Sequence, residues 1–411
     1  MKKRIELNEA KSLLSSHIKN FAPLEVPLME AAGRVSAKKI KAPMDQPPFD
    51  RSPLDGFALK AESSRGASED SPVELEIIDW IYAGDAGETK IGDGQAARIM
   101  TGAPIPPGAN CVIRQENTSW DENNVKIFGS LKPGQNFAPA GEDINKGDLL
   151  VEKETLLKSS QIAVLASMGL EEVEVMPSPA VSVLTTGNEL VPLGNDLARG
   201  KIYNSNNYMM TTRLDEIGAD VVKNRVVSDK KELIENDIEE LAPESDFIVT
   251  TGGVSVGEKD LMLEVFSGLG AEILFWKLDL KPGTPIACAV YEDTIIFGLS
   301  GNPAAALITF DLLVRNIVVQ VNGLNHLDLE KTRATFVDDF PRSSSTRRML
   351  RGWFVESEDG GIVRLSRGKQ RPGVLKSTLE CNCLIDIPAG SPPVSEGQEV
   401  EVLKLPEMYS I

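Results

Sequence analysis

Three glycine-rich turns hold the residues of this chain with the most to offer chemically: Thr185-Thr186-Gly187-Asn188-Glu189, Thr250-Thr251-Gly252-Gly253-Val254-Ser255-Val256-Gly257 and Ser300-Gly301-Asn302-Pro303. Glycine lets backbone N–H groups approach an anion closely, and a helix that follows the turn adds its positive end. None is a Walker A loop, and none matches Gly-x-Gly-x-x-Gly. Together they suit an anionic ligand better than any one alone. Glu189 and Asp260 flank two of these turns, and their carboxylates would suit a hard cation such as Mg²⁺, which takes oxygen ligands. The rival reading has Asp260 capping its helix and Glu189 solvated. Lys277 and Lys281 share a face if their strand is unbroken. Two ammonium groups side by side repel unless an anion lies between them; a solvated face is the alternative. A second group of strings lies upstream. Phe49 to Ala58 places Asp55 in a tight turn, Arg98 to Gly102 ends a strand on the hydroxyl of Thr101, and Gly141-Glu142-Asp143-Ile144 sets Asp143 before a strand. Composition does not say whether these three strings meet.

Elements alternate around the turns. Apolar patterning predicts strands at Val181–Leu184, Ala219–Val227, Phe247–Thr250 and Thr294–Phe297. Helices are predicted over Ser205–Ile217, from a cap at Asp229 to Leu241, over Asp260–Leu269 and over Ala304–Val319. Alternation of this kind builds a doubly wound parallel α/β sheet over residues 179–325, with ligands at the carboxyl ends of its strands. After His326 short strands return at Arg333–Val337, Met349–Val355, Gly361–Leu365, Cys383–Ile387 and Glu399–Leu403, predicting a β domain over 326–411. Upstream, a helix over Leu7–Ile18, a shorter helix and a strand within Leu24–Lys41, and a helix over Lys158–Gly169 flank a β-rich insertion, 43–143. The flanks, 1–42 and 144–178, are expected to pack together.

A net charge of −18 argues against nucleic acid and anionic membrane surfaces as partners, since affinity for both rests on Lys and Arg. With aromatics at 5%, a base-stacking platform is not expected either. Two histidines and four cysteines are too few for a tetrahedral zinc site or a disulfide framework. Cys381 and Cys383 lie one apart in a strand and read as packing residues. The basic start lacks an apolar run, and no stretch of about 18 apolar residues is read in the chain, so a soluble, cytoplasmic protein is expected.

Taken in order, the strings Ser52-Pro53-Leu54-Asp55-Gly56-Phe57-Ala58, Ile99-Met100-Thr101-Gly102-Ala103-Pro104, Gly141-Glu142-Asp143-Ile144, Thr186-Gly187-Asn188-Glu189-Leu190, Thr251 to Asp260, Phe275-Trp276-Lys277, Lys281-Pro282-Gly283 and Gly301-Asn302-Pro303 resemble the molybdopterin molybdenumtransferase family, of the MoeA and gephyrin E-domain type. The resemblance covers nearly the whole chain. It implies an elongated homodimer of four-domain subunits, with the active site between the α/β domain of one subunit and the Asp55 domain of the other. It also implies that adenylylated molybdopterin is bound, its phosphoanhydride hydrolysed with Mg²⁺, AMP released and molybdate joined to the dithiolene. A transient contact with the molybdopterin adenylyltransferase would follow. By carry-over Glu189 and Asp260 hold the cation, with Glu189 also catalytic, and Asp55, Thr101 and Asp143 help complete the site. Gly252, Gly253, Ser255, Asp229, Lys277, Lys281, Asn302, Pro303 and Arg351 would contact substrate.

The departures fall on one function. The family's usual Lys-Pro-Gly-Lys-Pro reads Lys281-Pro282-Gly283-Thr284-Pro285, its Pro-Gly-Asn-Pro-Val-Ser reads Ser300-Gly301-Asn302-Pro303-Ala304-Ala305, and its Gln-Gly-Ser reads Gln370-Arg371-Pro372. Thr284, Ala305 and Pro372 thus replace an ammonium and two hydroxyls that the family uses around molybdate. Arg371 is a candidate replacement for the missing charge. The resemblance therefore leaves two readings: an insertase with a variant oxyanion pocket, or a relative that binds the pterin nucleotide but has lost or changed insertion, serving as a binding or scaffold protein or acting on another oxyanion such as tungstate.

Overall fold

The computed structural model describes residues 3–254, 260–357 and 360–406. The chain forms two compact units, 26–173 and 1–25 together with 174–411. Residues 1–25 group with 174–411, while the strand Leu24–Pro27 pairs with Glu172–Val175 of the 144–178 flank. The flanks do pair over their inner parts, Ile40–Lys41 against Leu149–Val151.

Within 26–173 the β-rich insertion is a six-stranded sheet. Its strands are β1 (Gly56–Leu59), β2 (Val73–Ile81), β3 (Gln95–Ile99), β4 (Cys111–Arg114), β5 (Thr118–Trp120) and β6 (Asn124–Ile127), in the order β4-β1-β3-β2-β6-β5. Alternate residues face opposite sides, so Phe57 and Leu59 enter one core with Leu75 and Val125, while Ala58 enters another with Ala97 and Val112. The helix expected within Leu24–Lys41 is absent. Leu24–Pro27 is a strand and Leu28–Ala31 a single 3₁₀ turn. Pro23 and Pro27 withhold the N–H groups that a helix needs and override the apolar spacing.

In the other unit the order is α1 (Leu7–Ser15), β7 (Ala180–Thr186), α3 (Ser205–Glu216), β8 (Asp220–Val227), α4 (Lys231–Leu241), β9 (Phe247–Thr251), α5 (Leu261–Gly268), β10 (Glu272–Trp276), β11 (Ala287–Tyr291), β12 (Thr294–Leu299) and α6 (Pro303–Asn322), α2 being Ser159–Ser167 of the first unit. The sheet order is β8-β7-β9-β12-β11-β10. It is mixed rather than wholly parallel, because β11 runs against its neighbours. Two residues link Tyr291 to Thr294, and so short a link closes only an antiparallel hairpin. Ile234, Ile238 and Leu241 of α4 and Met262, Val265 and Phe266 of α5 bury against Leu184, Ile248 and Ile296 of the sheet.

Helix α6 corrects another expectation: over Pro303–Asn322 it is long and apolar enough, by length and composition, to cross a bilayer. It is instead a core helix, almost wholly buried. Its two charges pair, Arg315 donating from Nε and Nη2 to Asp311 at 3.1 and 2.9 Å and from Nη1 to the Leu327 carbonyl at 3.0 Å. Buried ions persist only when matched in this way.

Five strands then close a small barrel: β13 (Glu330–Phe336), β14 (Arg347–Val355), β15 (Ile362–Leu365), β16 (Cys383–Ile387) and β17 (Glu399–Lys404), in the cyclic order β14-β15-β13-β17-β16. Phe336, Leu350, Val363, Ile385 and Val402 fill it.

Candidate active site

A cavity of about 540 Å³ opens at the carboxyl ends of β7, β9 and β12, beside the point where the chain leaves β7 for β8 on one side and later returns as β9 on the other. That switch point is where open α/β sheets bind ligands. All three glycine-rich turns reach its wall, with Thr186 and Glu189, Thr251 to Val254, and Ser300 to Pro303. Gly252 has φ +99°, and a Cβ there would lie 2.2 Å from the Thr186 carbonyl oxygen, so only glycine fits where these turns touch. The helix α6 begins at the third turn, with Pro303 in its first position.

The wall has polar atoms to spare. Thr186 Oγ1, Thr251 Oγ1, Asn206 Oδ1 and Asp229 Oδ1 are buried without a hydrogen-bond partner. Each borders the cavity. Buried orphans of this kind are costly unless a ligand or water meets them. Asp229 does not cap α4 as expected; Lys230 is the N-cap and contributes no side-chain bond. Asp229 instead clasps the first turn, its Oδ2 accepting from Asn188 N at 3.2 Å while its own N–H donates to Asn188 Oδ1 at 3.3 Å. The clasp leaves Oδ1 without a partner on a residue that, like Glu189, lines the cavity.

Asn204, Asn206, Tyr203 and Gly373 also line the cavity and were not singled out from the sequence. Asn204 caps α3, accepting from Asn207 N at 3.2 Å, and its amide donates to Thr185 Oγ1 at 3.0 Å. A cap is visible in a sequence; the wall it faces is not.

Other expected residues lie elsewhere. Asp260 is buried and absent from the cavity wall; its Oδ1 accepts from Met262 N at 3.2 Å as the cap of α5, and its Oδ2 accepts from Trp276 Nε1 at 3.1 Å. The capping alternative describes this geometry. Among the described residues no group of three His, Cys, Asp or Glu side chains is set for a metal ion. The strand assumed to align Lys277 and Lys281 is broken: β10 ends at Trp276, Lys277 has φ +87°, and Leu280–Lys281 pairs separately with β14. Lys277 Nζ sits 3.8 Å from the centroid of the Trp276 ring. Ser255 lies outside the described residues. Arg351 does not reach the cavity wall either. Buried in the barrel, it donates from Nε to Ser377 Oγ at 2.7 Å and from Nη2 to the Lys369 and Arg371 carbonyls, both at 3.3 Å.

That last contact shapes the site indirectly. The Gln370 side chain bonds the Arg351 backbone twice at 3.0 Å, so residues 369–371 are fastened to β14. The strap continues to α6, where the Pro372 carbonyl accepts from Ala304 N at 3.0 Å and Gly373 joins the cavity wall. Thr284 comes to the same corner, since the Cβ position of its neighbour Gly283 faces Thr309 Cγ2 at 2.5 Å and the Ala305 carbonyl at 3.9 Å. The Thr284 hydroxyl is already donated to the Leu280 carbonyl at 2.5 Å. Thr284, Ala305 and Pro372 therefore converge, and none presents an uncommitted donor.

In the unit 26–173 the three upstream strings do meet. The backbone of Arg51 pairs with Ala138 at 2.8 and 3.1 Å, Ser52 N donates to the Ala103 carbonyl at 3.0 Å and Gly102 N to the Ser52 carbonyl at 2.8 Å. Asp143 follows on an exposed turn, its N–H donating to the Gln46 carbonyl at 3.0 Å. Asp55 Oδ1 accepts from both N and Oγ1 of Thr101, each at 2.8 Å. Those two bonds, and then the charge of Arg98, hold its carboxyl below the ordinary range. Gly56 is obligatory, since a Cβ there would lie 1.9 Å from the Ile113 carbonyl oxygen across the sheet.

A domain with a switch-point cavity is followed here by a closed barrel and preceded by a unit with a rigid carboxylate turn, so the chain is a multidomain protein with its pocket on the α/β sheet. Family models match in sequence order: the MoeA N-terminal region, domains I and II, over 5–169, a probable molybdopterin binding domain over 182–320, and the MoeA C-terminal region, domain IV, over 333–405. The chain belongs to the MoeA family. It is 35% identical over 400 residues to a molybdopterin molybdenumtransferase of Staphylococcus epidermidis, covering 97% of this chain and 95% of that one. To the protein of that name from Staphylococcus aureus it is 32% identical over 399 residues, with the same coverage of 97% and 95%. The crystal structure of a molybdopterin biosynthesis moeA protein from Pyrococcus horikoshii superimposes with TM-score 0.82 at 32% identity, covering 98% of this chain and 100% of that one.

Proposed function

We propose that this chain is a molybdenumtransferase that joins molybdate to adenylylated molybdopterin, with hydrolysis of the phosphoanhydride and release of AMP. The observation that supports it most is the switch-point cavity, whose wall combines two carboxylates, glycine turns and unpaired buried oxygens. Asn206 Oδ1 accepts an N–H group, which a pterin supplies along its edge. Glycine turns and the start of α6 suit phosphate. The donor set on the wall is carboxylate and hydroxyl oxygen, which fits Mg²⁺. Glu189, with Asp229 as second carboxylate, would hold it, while Asp260 acts behind them as cap of α5. Bound there, Mg²⁺ supplies charge neutralisation on the anhydride. The wall orients the pterin nucleotide, and Lys277 and Lys281 serve its outer anionic groups. Asp55, Thr101 and Asp143 complete the chemistry in the homodimer. The same reading includes a cytoplasmic location and delivery of substrate by the adenylyltransferase.

A second reading has one specific observation behind it. At the corner of Thr284, Ala305 and Pro372 none of these three side chains offers a free donor to an oxyanion, which leaves the exposed Arg371 beside them as the candidate charge, so insertion is weakened or redirected while nucleotide binding remains. The deciding experiment incubates the protein with adenylylated molybdopterin and Mg²⁺, with and without molybdate, and follows both AMP and cofactor. Molybdate-dependent cofactor with AMP supports the first reading; binding or AMP release without cofactor supports the second. No binding at all overturns both.

A further inference from the structure

Strand β3 reads Gln95-Ala96-Ala97-Arg98-Ile99, and the one charge in it is buried, with 4% of its surface exposed. Arg98 sits in an aromatic box built by sheet register. Phe57 is its partner on β1 and Trp80 its partner on β2, both directly across. Cross-strand partners on one face touch. Trp120 of β5 joins them. The guanidinium carbon lies 4.9 Å from the Phe57 ring centroid and 5.2 Å from that of Trp120. Trp120 in turn meets Phe57 and Trp80 edge-on at 5.9 and 5.7 Å. A guanidinium held against aromatic faces in this way has little freedom to turn.

Its hydrogen bonds run to one place. Nη1 donates to the carbonyl of Gly56, the residue after Asp55, at 2.9 Å. Nη2 donates to Gln115 Oε1. The backbone N–H of Gln115 donates to the carbonyl of Asp55 itself at 3.1 Å. Both carbonyls that follow the Asp55 side chain are therefore fixed, one by Arg98 and one by the residue Arg98 holds. Thr101, in the turn just beyond the end of the same strand, anchors one carboxylate oxygen. The charged and titratable groups facing Arg98 are Asp55, Glu116 and Tyr82.

We propose that Arg98 is the positioning residue for Asp55: the box locks the guanidinium, and the guanidinium locks the main chain and the charge that set where the Asp55 carboxylate points. This rests on the role given to Asp55 above, and extends it to a residue outside the cavity and outside the turn itself. A purely structural Arg98 would affect folding and leave Asp55 alone.

The test uses the full chain and three variants, Arg98→Met, Arg98→Lys and Asp55→Asn. The ¹³C carboxyl resonance of Asp55, assigned by its loss in Asp55→Asn, is titrated alongside kcat and KM for AMP release. In Arg98→Met the titration midpoint of Asp55 moves upward. Its kcat falls about tenfold, less than the roughly hundredfold of a direct transition-state donor, and KM stays unchanged. Arg98→Lys keeps the charge and loses the fork, so its midpoint stays nearer the parent while kcat still falls. Folded variants with both midpoint and kcat unchanged overturn the proposal. If neither variant folds, Gln115→Leu removes the side-chain acceptor that holds Arg98 Nη2 while keeping the backbone N–H to the Asp55 carbonyl, and the same upward shift, smaller in size, is required of it. Normal AMP release by Asp55→Asn would remove the catalytic role of Asp55; the midpoint in Arg98→Met would still decide the link between the two residues.

Discussion

Two corners of the α/β unit, one on each side of the start of α6, are built on opposite rules. At the switch-point cavity, four buried oxygens of Thr186, Asn206, Asp229 and Thr251 are left without partners. At the corner of Thr284, Ala305 and Pro372, the hydroxyl is bonded to Leu280, the methyl packs, and the proline carbonyl caps Ala304. Unpaired buried polar atoms are costly unless a ligand or water meets them, and four of them gather on residues of this one wall. The contrast supports the proposal that ligand is recognised in the cavity. It also shows a consolidated corner at the three positions where the family resemblance leads one to expect an ammonium and two hydroxyls.

The largest expected effect tests the open corner. Glu189→Gln should lower AMP release by roughly a hundredfold or more, with denaturant stability nearly unchanged, because the residue faces the cavity. Full activity in that variant would place the chemistry elsewhere. Gly252→Ala should cost roughly 1 to 3 kcal/mol in denaturant unfolding, since it forces a left-handed backbone and a clash with the Thr186 carbonyl. An unchanged unfolding midpoint would mean that the turns part readily. The consolidated corner is probed by Thr284→Lys combined with Ala305→Ser. One restored charge-assisted bond is worth about 1.5 kcal/mol, so the molybdate concentration for half-maximal cofactor formation should fall about tenfold. No change would show that the corner no longer meets the oxyanion. The smallest effect separates Asp260 from Glu189. Asp260→Ala should cost about 1 kcal/mol through the lost cap and leave AMP release within about threefold; abolished release would return Asp260 to the cation.

Much of this was legible before any coordinates. The glycine turns, the alternation of strands and helices and the five terminal strands all follow from local patterning, and local patterning survives folding. What stayed hidden depended on conformation at single residues or on distant partners. A lysine at φ +87° cannot be foreseen, so the pairing of Lys277 with Lys281 failed when the strand broke. Asp229 carries a cap signal, yet Asn188 captured it across two turns. Asn206 looks like any solvated helix residue, and Gly373 belongs to a different domain of the sequence. In the first unit, Arg98 would be read as a strand charge at an edge; only the register of three strands shows it enclosed.

The strap of residues 369–373 has a hereditary consequence. One wall of the cavity is on loan from the barrel, tied by Arg351 and Gln370 on one side and by the start of α6 on the other. The two domains therefore cannot be inherited as separate modules. A barrel transplanted from a relative would bring its own strap and re-cut the pocket of its host. Natural exchange among such proteins should keep 351, 370–373 and 302–305 together as one block, even though it is scattered between positions 302 and 373 of the chain.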